Sequence, residues 1–137
     1  MKRDWDLIRK QLTDVEEGND LFSEIPPEPI WENQEWDIYE KRLTEHRAIK
    51  GRIFGHFELL VNAGYIDGLQ VVRSADGLLS YGPHSPRLTM PGHDLLDTMR
   101  SATVWEKIKT TAKTKGIELT FDAIKALGAL ALKSAFE

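Results

Sequence analysis

The stretch His56–Gly68, HFELLVNAGYIDG, decides how the rest of the chain is read. Phe57, Leu60 and Val61 recur at the three- and four-residue spacing of one helical face. Gly64 is the residue type that ends a helix in the left-handed conformation, and Ile66 supplies the first apolar residue of a following strand. Toward the N-terminus, Ile49 and Ile53 extend the same face, so a central helix is predicted from Thr44 to Gly64. Gly51 and Gly55 lie inside it, each about 1 kcal/mol less favourable than alanine, which predicts frayed first turns or a division into two helices. Toward the C-terminus, LQVVRS (Leu69–Ser74), an Asp76-Gly77 turn and an extended run from Leu79 to Met90 predict an antiparallel hairpin. Pro83 and Pro86 loosen its return strand.

The flanks add helices. Trp5, Ile8, Leu12 and Val15 line one face, Asp4 can cap it and Gly18 stops it, so Asp4 to Glu17 is a predicted amphipathic helix. From Asn19 to Gln34, Pro26, Pro27 and Pro29 among acidic residues exclude helix and interior strand, leaving an extended surface segment. Trp36 to Leu43, WDIYEKRL, fits a short strand on period two or the first turns of a helix; the strand is the expectation. After the hairpin, Pro91 opens a helix through Arg100, Thr103 caps VWEKIKTTAKTK, Gly116 ends it, and a last helix starts near Thr120.

Composition bounds the function classes. A chain of 137 residues with 41% hydrophobic content builds one core. The absence of cysteine excludes disulfides, thiolate nucleophiles and Cys-based zinc sites. MKRDWDLIRKQL (1–12) is too interrupted by charge for a secretory leader, so a cytoplasmic location is expected. Leu119 to Phe136 is apolar but carries Asp122, Lys125 and Lys133, and is read as a packed helix rather than a membrane span. The net charge of −4 hides an asymmetry: Met1 to Glu40 carries −8, Lys41 to His56 carries +4, and the remainder is balanced. Only the middle block suits an anionic partner.

The order helix, extended segment, helix, hairpin, helix is that of a winged helix, and HFELLVNAGYIDG resembles the end of the recognition helix in bacterial winged-helix regulators. The expected fold class is therefore α+β: a winged helix-turn-helix core with a small antiparallel β-sheet and additional C-terminal helices. Residues 1–102 would form the winged-helix-like domain, with a Pro-rich acidic insertion at about 19–36, and residues 103–137 a C-terminal helical extension. Three blocks, MKRDWDLIRKQL (1–12), HFELLVNAGYI (56–66) and RLTMPGHDLLDTMRSATVWEKIK (87–109), resemble a family of small phage- and prophage-borne proteins known as domain-of-unknown-function family 2513. That resemblance implies a winged-helix-like fold and a mobile-element setting. It carries no activity and no functional residues.

Two function classes follow. The first is a DNA-binding transcriptional regulator: Arg47, Lys50, Arg52 and His56 are the polar positions of the central helix, and Arg73 and Arg87 lie on the hairpin, where arginines meet phosphates. A solvated basic face that balances the acidic N-terminal segment explains the same residues. The second is a protein-binding module that engages or inhibits a host protein, with Trp31 and Trp36 of the acidic segment as anchors; packing back onto the domain is the competing use of those rings. Phe121, Ile124, Leu127 and Leu132 belong to a broad stripe, with Gly128, Ala131 and Ala135, that either completes the core or forms a homodimer seam. No enzyme is expected, because neither a Gly-x-Ser-x-Gly elbow nor a phosphate loop is present. The spacing of His46, His56, His84 and His93 suggests no metal site, and no cofactor is expected.

Overall fold

The structure, a computed structural model, describes residues 1–32, 35–74, 79–81 and 85–136, of which 79–81 and 134–136 are described by their backbone only. Helix α1, Trp5–Glu17, forms as its sequence dictates. The Asp4 carboxylate accepts the Leu7 N–H at 3.1 Å, and Gly18 ends the helix at φ 72°. Leu7, Ile8, Gln11, Leu12 and Val15 give it a single buried face.

Helix α2 runs without interruption from Trp36 to Asn62. The strand expected at Trp36–Leu43 is thus replaced by the first turns of this helix. Glu, Lys, Arg and Leu are good helix formers, Asp37 favours the positive end of the helix dipole, and among the described residues no neighbouring strand pairs with this segment. Gly51 and Gly55 neither fray nor divide it. Ile53, Phe54, Phe57 and Leu60 are buried beside them, and that packing outweighs about 1 kcal/mol per glycine. Beyond Asn62, Gly64 adopts φ 82° and the Tyr65 N–H returns to the Leu60 carbonyl at 2.9 Å, closing the helix end.

Two antiparallel two-stranded ladders follow, nested in sequence: β1, Ile66–Asp67, pairs with β4, Arg87–Leu88, and β2, Val71–Arg73, pairs with β3, Leu79–Tyr81. Ile66 lies opposite Leu88 and Asp67 opposite Arg87, so the apolar pair is buried and the charged pair exposed. The antiparallel excursion is as expected; its Asp76-Gly77 turn, with Pro83 and His84, lies outside the described residues.

Helix α3, Met90–Arg100, starts at an N-cap, Thr89, whose hydroxyl accepts the Gly92 N–H at 3.1 Å. The Thr89 N–H donates to the Tyr65 carbonyl and its hydroxyl to the Gly64 carbonyl at 2.6 Å, which ties the start of α3 to the exit of α2. Gly92 is required there, because a Cβ would collide with the Tyr65 carbonyl oxygen. Helix α4, Ala102–Lys115, is capped by Ser101, not Thr103: the Ser101 hydroxyl accepts the Val104 N–H at 3.3 Å, while Thr103 falls within the first turn. Gly116 ends it, and Thr120 caps α5, Phe121–Phe136.

The architecture is α+β, mostly helical, with small antiparallel strand pairs. One apolar cluster unites α1, the second half of α2 and the C-terminal helices through Ile8, Leu12, Phe57, Leu60, Leu95, Met99, Trp105, Ile108 and Ile124. It draws on residues 1–102 and 103–137 alike. Polar ties reinforce it: the Trp105 indole N–H donates to Asp6 at 2.8 Å, and the Arg9 guanidinium donates to the last carbonyls of α3, Met99 and Arg100, at 2.7 and 2.9 Å. Among the described residues, no helix is long and apolar enough to cross a membrane.

Candidate functional site

The six residues proposed for DNA contact share no common environment. His56 is wholly buried, and both ring nitrogens are engaged: Nε2 accepts the Asp4 N–H at 2.8 Å, and Nδ1–H donates to the Arg52 carbonyl at 2.7 Å. It locks α1 to α2 and cannot reach a groove, which removes it from the contact set. Arg52 forms an ion pair with Asp4. The Asp4 carboxyl is held below the usual range, first by the Leu7 N–H and then by Arg52. Arg73 makes a two-pronged pair with Glu58 of α2, at 2.7 and 3.1 Å, which lowers the Glu58 carboxyl and raises the guanidinium. Arg87 pairs with Asp67 across the outer ladder at 2.6 Å. Arg47 is exposed and, among the described residues, has no ion pair; Lys50 extends over the Phe54 ring at 5.7 Å. Of the basic block, only Arg47 and Lys50 among the named candidates therefore point a cation toward solvent without an acidic partner.

Trp31 and Trp36 come together. Their ring centroids are 5.1 Å apart, and Tyr39 completes a triad at 5.3 Å from Trp31 and 5.8 Å from Trp36. Packing back onto the core is not their fate: Trp31 is 53% exposed and Trp36 58%, with Ile30 and Ile38 exposed beside them. The segment that carries Trp31 is nevertheless held in place. Phe22 stacks on Phe54 at 4.8 Å and meets Phe57 at 5.6 Å, and buried His46 donates through Nδ1–H to the Pro26 carbonyl at 2.9 Å. The aromatic patch is thus formed by Trp31 and by the first turn of α2, in a stretch of sequence that also carries exposed Glu28, Glu32, Glu35, Asp37 and Glu40. Tyr39, Ile30 and Ile38 were not singled out in the sequence. The signal for Tyr39 was its three-residue spacing from Trp36, which acquires meaning only once the segment is helical.

The C-terminal stripe is divided between uses. Ile124, Leu127 and Ala131 are buried, Phe121 packs edge-on against Trp5 at 5.0 Å, and Gly128 meets the Thr98 methyl where a Cβ would not fit. Leu130 and Leu132 remain exposed, beside a shallow groove of about 190 Å³ between α4 and α5 lined by Lys107, Thr111 and Lys115. Among the described residues, no three His, Asp or Glu side chains converge as a metal site requires. His46 and His56 are consumed by backbone contacts, and His93 lies 3.5 Å from Glu16.

Comparison with known proteins gives the chain a family. It is 32% identical over 125 residues to an uncharacterized protein of Haemophilus influenzae (strain ATCC 51907 / DSM 11121 / KW20 / Rd), covering 91% of this chain and 90% of the relative. No solved structure matches. The family described as hypothetical protein (DUF2513) matches residues 2–118, from just before α1 to just beyond the end of α4; with the similarity to the Haemophilus protein over most of the chain, this makes the chain a member of that family.

Proposed function

We propose that this protein is a protein-binding module, built on a winged-helix-like scaffold of phage or prophage type, that engages a host protein through the Trp31–Trp36–Tyr39 patch. The observation that carries the reading is the exposure of that patch. Two indoles more than half exposed, one following the segment tied down at Phe22 and Pro26 and the other on the first turn of α2, match the character of binding anchors, in which large rigid rings are held ready at little entropic cost. The scaffold reading rests on the order of α2, nested antiparallel strands and α3, and the mobile-element setting on the family resemblance. A photo-crosslinking amino acid at Ile38, 44% exposed, tests the function in cells. A discrete adduct that disappears in the Trp31→Ala/Trp36→Ala variant is expected. No adduct above background would overturn the reading.

A DNA-binding regulator is the second reading, favoured by one observation: Arg47 and Lys50 lie one helical turn apart, exposed and half-buried, without acidic partners among the described residues. Titration of a random duplex across salt separates the two. If DNA is the target, Arg47→Ala/Lys50→Ala weakens binding and flattens its salt dependence by about two phosphate equivalents. If a protein is the target, duplex binds no better than other polyanions.

A further inference from the structure

Resting on the reading of the aromatic patch as a protein-docking surface, we propose that its occupant is a cationic segment of the partner, one in which arginine or lysine alternates with apolar side chains. Charge complementarity is the argument. Gln11–Glu40 contains no Lys or Arg and ten Asp or Glu. The carboxylates nearest the rings in sequence, Glu28, Glu32, Glu35, Asp37 and Glu40, are exposed, and among the described residues none has an ion pair within 4.0 Å. Several carboxylates elsewhere are matched, as Asp4 is by Arg52, Glu16 by Arg100 and Glu58 by Arg73, whereas among the described residues single ones such as Glu45, Asp94 and Glu118 are not; what distinguishes the patch is that five unmatched carboxylates share one short stretch with the rings. Residues 28–40 therefore bring five carboxylates and three rings together without a cation among them, the basic block beginning only at Lys41.

The ring geometry fixes how such a cation is received. Centroids 5.1 to 5.8 Å apart leave the three rings in contact, so no cation enters between them. It lies instead on an outward indole face, where the ring quadrupole attracts it and a flanking carboxylate completes the pair. A guanidinium suits both contacts, since it stacks flat on an indole and donates in the ring plane. Ile30 and Ile38 receive the apolar neighbours of that cation. An anionic surface, whether nucleic acid or acidic lipid, meets like charge here.

The test uses the full chain and two dye-labelled synthetic peptides of equal length, one of Arg-Gly-Leu repeats and one of Glu-Gly-Leu repeats, followed by fluorescence anisotropy. The arginine peptide is expected to bind with an affinity that falls with salt, and the glutamate peptide not to bind. Trp31→Ala and Trp36→Ala each weaken the arginine peptide by about tenfold or more with unchanged circular dichroism. Glu32→Gln/Glu35→Gln/Asp37→Asn weakens it and flattens the salt dependence. Equal binding of the two peptides, or undiminished arginine-peptide binding by the tryptophan variants, overturns the proposal. If a crosslinked cellular partner is lost by the tryptophan variants yet kept by the carboxamide variant, the docking reading stands and the cationic occupant falls. A salt-sensitive dimer of the chain alone, abolished by Trp31→Ala in sedimentation, overturns it in favour of a second copy that offers its own Lys41–Arg52 block.

Discussion

The two halves of α2 are one helix with opposite fates. From His46 onward it contributes His46, Ile53, Phe54, Gly55, His56, Phe57 and Leu60 to the interior, whereas within Trp36–Glu45 only Tyr39 and Leu43 are even half-buried. The second half is held by what lies around it: α1, the strand pairs and the loop residue Phe22. The first half is held by continuity with the second and by its own ring triad. Stability and presentation are therefore assigned to different ends of the same element, and substitutions at the two ends should separate them.

The largest separation is expected from Phe57→Ala against Trp36→Ala. Phe57 is wholly buried, and its truncation should lower the unfolding free energy by about 3–5 kcal/mol in urea titration, whereas Trp36→Ala should change it by less than about 0.5 kcal/mol. Equal losses would dissolve the distinction between the halves. A smaller effect is expected at the histidines. His56→Leu strands the Asp4 N–H that Nε2 accepts and should cost about 1–3 kcal/mol. His46→Leu releases only the Pro26 carbonyl, so its effect should fall on the patch, read as faster proteolysis within residues 19–32, more than on global stability.

Acid sharpens the comparison further. The folded Asp4 carboxyl is lowered by the Leu7 N–H and by Arg52, so its contribution is complete above the ordinary value of 3.8 and is lost as pH falls below that, through the folded value. Asp4→Asn keeps the helix cap but removes this titration. Its stability should therefore fall less steeply than that of the wild type as pH drops below 3.8, with the Trp31–Trp36 emission unchanged. The smallest effect is expected from Gln11→Leu. The buried Gln11 amide donates to the Ile53 carbonyl at 3.0 Å, but its own oxygen has no partner, so an apolar replacement should be neutral or stabilising by up to about 1 kcal/mol. A large loss there would mean that the α1–α2 contact depends on this one hydrogen bond.

How much of this was legible follows the same division. Local chemistry announced α1, since Asp4, the Trp5–Val15 face and Gly18 all agree, and it announced the end of α2 and the antiparallel strands after it. The beginning of α2 was not legible, because WDIYEKRL fits period two as well as period 3.6 and its continuity with the helix that follows decides. Thr103 and Ser101 are both competent caps two residues apart, and the backbone of Ser101, extended at ψ 122°, selects between them. The basic residues illustrate the deeper limit. Arg52, Arg73 and Arg87 read as free cations in one dimension, yet each meets a carboxylate 15 to 48 residues away. Trp31 was legible as a residue outside regular structure because Pro26, Pro27 and Pro29 precede it, whereas the place of Trp36 at the head of α2 was not.

The continuity of α2 has a consequence for its phase. A single α-helix turns by about 100° and rises about 1.5 Å per residue, so the direction in which Trp36 and Tyr39 face is set by the number of residues between them and His46. One alanine inserted between Glu40 and Thr44 would swing the Trp36–Tyr39 face a quarter turn or more away from Trp31 and break up the triad. An insertion of about four residues nearly restores the direction while moving the face about 6 Å along the axis. The helix therefore acts as a key whose teeth are cut at one end and whose alignment is kept at the other, and chain length through residues 41–45 is itself a specified quantity.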